Sequence, residues 1–133
     1  MSGSLIERVI AADAAMLAHL GFDVTHVSSD RVAITGVPPV DLANSFGVVH
    51  GAFAFSLMDT AAANALAARE IHAVTIGSHC SFTGAVTRAA DILAEARVQT
   101  TGRTLATVRA ELTVDGKIAS IGTFEFLVRP NAV

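Results

Sequence analysis

Residues 51–69 read Gly51-Ala-Phe-Ala-Phe-Ser-Leu-Met-Asp59-Thr-Ala-Ala-Ala-Asn64-Ala-Leu-Ala-Ala-Arg69, and this stretch decides the fold. It has good helix formers and no proline, and 13 of the 18 positions 51–68 are Ala, Phe, Leu or Met. Apolar residues fall on nearly every helical face, which predicts a helix enclosed by other structure rather than laid on a surface. A membrane span is the competing reading of such a run. Asp59 at its centre argues against it, because a carboxylate at that depth costs on the order of 3 kcal/mol.

Upstream, Leu5, Val9, Ala12, Met16 and Leu20 recur at helical spacing, with Ser2 or Ser4 as cap and Gly21 as the stop. Phe22 to Val27 and Arg31 to Val37 then read as short strands around a Ser28-Ser29-Asp30 turn. Pro38-Pro39 closes the second and opens a loop to about His50. Downstream everything reads as strand: Val74 to Phe82, Asp91 to Thr100, Thr104 to Val114 and Ile118 to Val128. Alternation turns Ile92, Ala94, Ala96 and Val98 inward on one run, and Ala106, Val108, Ala110, Leu112 and Val114 on the next. Ile118, Phe124, Phe126 and Val128 do so on the last. Thr101-Gly102 and Asp115-Gly116 stand at hairpin spacing, so these last three strands are antiparallel. The expectation is one domain over 1–133: an N-terminal helix within 1–21, a central helix at 51–69, and antiparallel strands over 73–128 wrapped on that helix, an α+β fold.

Composition narrows the function. The 133 residues carry nine Lys and Arg against twelve Asp and Glu, net −3, with no Tyr or Trp on which bases could stack, which excludes a basic nucleic-acid binder. Hydrophobic residues at 52% against 16% charged exclude disorder. So thin a charged surface on a small domain points to apolar area buried against another copy of the chain. The single Cys80 fits a reducing compartment, and Glu7, Arg8, Asp13 and His19 interrupt any secretory apolar region, so a cytoplasmic protein is expected.

Asp59 is the only ionisable residue between Gly51 and Ala68. A carboxylate inside the most enclosed helix is costly, and burial tunes such a group as base or nucleophile. The helix is approached through Asn44-Ser-Phe-Gly47-Val-Val-His50-Gly51. A helix start presents unpaired N–H groups, and glycine there leaves its amide unshielded, able to polarise a carbonyl. Local capping by Asn44 or His50 is the bland alternative. Eight residues of helix separate Gly51 from Asp59 by about 12 Å, too far for one carbonyl to touch both. Two antiparallel helices across a two-fold axis would bring Gly51 of one chain to Asp59 of another, so a site built from both requires a dimer.

The spacing Asn44-x-x-Gly47-x-x-His50-Gly51, with Asp59 nine residues after the histidine, resembles the signature of hotdog-fold acyl-CoA thioesterases, the phenylacetyl-CoA thioesterase type of phenylacetate degradation above all. Thr101 to Thr104, Val114 to Lys117 and the Phe124-Glu-Phe126 strand are similar to that family's last hairpins. The resemblance implies a hotdog fold and hydrolysis of acyl-CoA or aryl-acyl-CoA. It implies Asp59 as base or nucleophile, the Gly51 amide as carbonyl polariser, and His50 and Asn44 as orienting groups. Thr75, with Ser78 as second choice, matches a hydroxyl residue near the carboxylate. Arg88, Arg103 and Arg129 are candidates for the CoA phosphates. A homodimer at least is implied, plausibly a homotetramer, with no metal and no cofactor beyond the CoA of the substrate. Ala52 departs from the family's usual second glycine, and Gly77 and His79 from ordinary strand residues.

His72, His79 and Cys80 suggest a metal, but adjacent strand residues face opposite ways and no carboxylate cluster accompanies them. No Gly-x-Ser-x-Gly elbow indicates a serine triad. The rivals are a dehydratase or hydratase on the same scaffold using His50 as base, and a non-catalytic acyl-CoA-binding or sensing domain, which would need no buried base.

Overall fold

Ser4 starts the first helix with a capping box: its Oγ accepts from the Glu7 amide, and the Glu7 carboxylate accepts from the Ser4 N–H. In the computed structural model, which describes residues 3–87 and 91–130, this helix, α1, spans Leu5–Leu20 and stops at Gly21. Its inward stripe differs from the sequence expectation. Leu5 and Leu17 are buried, whereas Ala12 and Met16 are exposed. Burying the branched Leu17 removes more apolar area than burying an alanine, and the helix is rolled accordingly. The same roll leaves Asp13 half-buried.

Strands β1 (Phe22–Val27) and β2 (Val32–Gly36) form a hairpin, and helix α2 (Gly51–Ala67) follows the loop. Then come β3 (Ala73–Phe82), β4 (Ile92–Thr101), β5 (Leu105–Val114) and β6 (Lys117–Val128). The six strands of the described residues form one antiparallel sheet in the order β1-β2-β4-β5-β6-β3. Asp115 and Gly116, at φ 50° and 83°, make the tight β5–β6 turn, a conformation that an Asp-Gly pair adopts at low cost.

Helix α2 lies across one face of the sheet, chiefly over β4 and β5. Beneath it Ala94, Ala96, Ala106 and Ala110 are buried beside Ile92, Val108 and Leu112. Small residues at these positions let the helix sit close to the sheet. Helix α1 runs antiparallel beside α2: the Leu5 amide donates to the Glu70 carboxylate at one end, and Phe22 packs edge-on to Phe53 at 5.3 Å at the other.

Ile118, expected inward, is 49% exposed. Leu112 pairs with Ser120 and Thr113 with Ile118, so Ala119 is an extra residue, a β-bulge that reverses the alternation before it. The Ala119 carbonyl accepts the N–H groups of Thr83 and Gly84 instead.

Among the described residues strand β3 pairs only with β6 and leaves its other edge open over ten residues. Val74, Ile76 and Phe82 on it are largely exposed. A second bulge, at Ile76, lets both Thr75 and Ser78 share the face of α2, opposite Phe126 and Phe124.

Candidate active site

Where the sheet ends at β3, one stripe of α2 stays uncovered: Ala52 is exposed, and Phe55, Ser56, Asp59 and Ala63 are half-buried. Asp59, expected to be fully enclosed, therefore sits at the wall of an open crevice in the single protomer. The fully buried polar residue of the helix is Asn64, whose Oδ1 and Nδ2 have no partner among the described residues. Asn64 was visible as the one amide in an alanine run, and sequence reasoning passed over it.

Thr75 Oγ1 donates to Asp59 Oδ1 at 2.7 Å. Of the two hydroxyl candidates, Thr75 reaches the carboxylate. Ser78 faces the same way three residues further along the strand. Burial pushes the Cys80 thiol up, the Ser78 hydroxyl pulls it back, and the charge of Asp59 adds to the rise. Cys80 and His79 face opposite sides of the sheet, Cys80 with the core-facing set. Among the described residues no cluster of His, Cys, Asp or Glu could hold a metal ion.

At the other end of the crevice, Gly51 is the first residue of α2, and its N–H has no acceptor among the described residues. The Phe82 ring lies 3.6 Å from where a Cβ on Gly51 would stand. His50 precedes the helix with an exposed side chain that does not cap it. Nor does Asn44 cap it: its Oδ1 accepts from the amides of Phe46 (2.9 Å) and Val48 (3.2 Å), tying the approach loop into a turn beside Gly51. Gly51, His50 and Asn44 thus gather at one end of the crevice and Asp59 with Thr75 at the other, about 12 Å apart along the helix.

Asp13 of α1 faces the same region. Burial, then the charge of Asp59, hold its carboxyl above the usual range. Arg129 donates its backbone N–H to His72 just before β3, and the Val128 amide reaches Thr104 in the turn that carries Arg103, so both arginines stand at the sheet end nearest Thr75. Arg88 lies outside the described residues.

The family model described as Thioesterase superfamily matches residues 46–119, and the chain belongs to that superfamily. No curated protein sequence matches the chain. Among solved structures, an asparagine-to-aspartate variant of phenylacetic acid degradation protein PaaI from Thermus thermophilus is 26% identical. It covers 85% of this chain and 97% of its own, with TM-score 0.80. A conserved Pseudomonas aeruginosa protein is 25% identical over 92% of this chain and 98% of its own, with TM-score 0.81. A hypothetical thioesterase of Streptococcus pneumoniae with coenzyme A shares the fold at TM-score 0.86 and 18% identity, over 95% of this chain and 98% of its own. Structures of the Streptococcus protein also exist with an aspartate or a threonine changed to alanine. The fold is the hotdog fold, and the chain is a thioester hydrolase of this superfamily. No helix among the described residues is long and apolar enough to cross a membrane.

Proposed function

We propose that the protein hydrolyses acyl-CoA or aryl-acyl-CoA thioesters, phenylacetyl-CoA-like ones included, to the free acid and CoA, in sites shared between two protomers. The observation that carries this reading is the division of the crevice: a carboxylate held by Thr75 at one end, an unpartnered Gly51 amide at the other.

Phe82 of β3 stands beside Gly51, and Thr75 beside Asp59. Antiparallel pairing of the open β3 edge with its copy about His79, with the Ile76 bulge taking up one residue, sets Thr75 of one protomer opposite the partner's Phe82. That brings Asp59 of one protomer to the partner's Gly51. It also covers the exposed apolar edge.

In this site the Gly51 N–H polarises the thioester carbonyl and Asp59 delivers the attack, as base toward water or as the nucleophile. As base, Asp59 takes a proton from water while the C–O bond forms and the C–S bond breaks, and passes it to the departing thiolate. As nucleophile, it forms an acyl anhydride as the thiolate leaves, and water then cleaves the anhydride to the acid, restoring Asp59 and supplying the thiolate's proton. Thr75 orients the carboxylate, Asn44 holds the loop that presents His50 and Gly51, and Arg103, Arg129 and Arg88 are offered for the CoA phosphates. The coenzyme A in the Streptococcus structure supports a CoA substrate. The aspartate and threonine altered in that protein are sixteen positions apart, the separation of Asp59 and Thr75.

The test is thiol release from short, medium and aromatic acyl-CoAs. Asp59→Asn is expected to lower the rate on the order of 100-fold with little change in folding. Undiminished turnover by Asp59→Asn overturns the assignment of the carboxylate, and binding without turnover on every substrate favours a sensor.

A further inference from the structure

A cleft of about 180 Å³ opens beside the first turn of α2, lined by Asn44, Val49, Gly51, Phe82, Val86 and Ser120 among others. Most of its wall is apolar. Its polar side chains are Asn44, whose Oδ1 is taken up by the approach loop, and Ser120, which is 1% exposed and whose Oγ has no hydrogen-bond partner among the described residues. Ser120 pairs with Leu112 on one side and Phe82 on the other, and so stands on the face of the sheet that carries α2.

Packing does not account for this hydroxyl. An alanine would fill the same space without taking an O–H from water and leaving it unmatched. The surroundings are built in detail. The Ala119 bulge carbonyl binds the amides of Thr83 and Gly84, fixing that wall. A Cβ at Gly84 would come within 3.2 Å of the Ala119 Cα, so a side chain there would push this wall back by a few tenths of an ångström. The same cleft is lined by Gly51, whose amide is unpartnered among the described residues.

We propose that this cleft receives the acyl group and that Ser120 is a specificity-determining residue, hydrogen-bonding an oxygen carried by a short acyl chain. The inference rests on the thioesterase reading above. A carbonyl held at Gly51 directs its acyl chain past Phe82 and Val86 onto Ser120. The volume suits a small group, since an apolar cavity of about 150 Å³ holds benzene. A chain with a methylene in place of the oxygen leaves the buried hydroxyl unmatched, and such a mismatch is what polar sites discriminate against.

The experiment compares kcat/KM for unbranched acyl-CoAs of about four to six carbons with hydroxyl-ended counterparts of equal length, a size range set by the cleft. In at least one matched pair the wild type is expected to prefer the hydroxylated substrate by about tenfold, the worth of one neutral hydrogen bond. Ser120→Ala is expected to bring that ratio near one. Parity across every pair in the wild type, a measurement that needs no variant, overturns the proposal and leaves Ser120 to a bound water. A preference that survives Ser120→Ala overturns it as well. Absence of turnover on any thioester sinks the thioesterase reading instead, so the two failures are distinct.

Discussion

Gly51→Pro tests the shared site. Proline lacks the N–H assigned to the carbonyl, and it is favoured at the first position of a helix, where that N–H is unpaired anyway. The local backbone accepts it: His50 has φ −57° and ψ 142°, the extended conformation a residue before proline adopts. The space accepts it too, because a Cβ at residue 51 meets the Phe82 ring at 3.6 Å, an ordinary contact. Gly51→Pro should therefore fold and lose about 100- to 1,000-fold in kcat, the usual effect of removing one such donor. Asp59→Asn damages the other half. Equal co-expression of the two variants yields half mixed dimers, each with one doubly damaged site and one intact site, so about a quarter of wild-type activity returns if sites are shared across a two-fold axis. Thiol release by the co-expressed pair, set against each parent, reads this directly. Parental activity in a sample shown to contain mixed dimers would falsify the shared site.

Two further outcomes follow from the geometry. Thr75→Ala removes a 2.7 Å hydrogen bond to a carboxylate. At so open a position this is worth about 1.5 kcal/mol, or about tenfold in kcat. Thr75→Ser should restore most of it with Tm unchanged, and a serine variant no better than alanine would refute the orienting role. Asp13→Asn addresses the raised carboxyl on α1. Folding favours the protonated form of a group whose pKa is raised, so its destabilising effect is absent below the ordinary carboxylate pKa and grows as pH rises through the folded value. Thermal melts should show Asp13→Asn more stable than wild type near pH 7 and equal to it near pH 3. An equal gain at both would place its cause outside titration.

Helix α2 was legible because nothing else explains a proline-free run of Ala, Phe and Leu, and its start at Gly51 coincides with the structure. The strands were legible from alternation and from the Asp115-Gly116 turn. What escaped was phase. The Ala119 bulge adds one residue without any mark in composition, so Ile118 was turned the wrong way. Counting back from Phe124 and Phe126 alone would have set Ser120 inward and exposed the buried hydroxyl. On α1, Ala12 and Met16 carried the spacing while the branched Leu17 carried the burial. The motif from Asn44 to Asp59 drew attention to residues that the structure sets along α2 and the loop before it. It could not reveal that Asp59 lies at an open wall, because that depends on where the sheet ends. Nor could spacing alone choose Thr75 over Ser78, since the Ile76 bulge turns both toward the helix.

The alanine floor beneath α2 makes the height of the helix a matter of methyl groups. Asp59 rides on that helix, while Thr75 belongs to a strand at the sheet's margin. An added carbon at Ala94, Ala96, Ala106 or Ala110 would act as a shim, lifting Asp59 away from Thr75 by a fraction of an ångström. The spacing of that pair is thus calibrated from the molecule's interior.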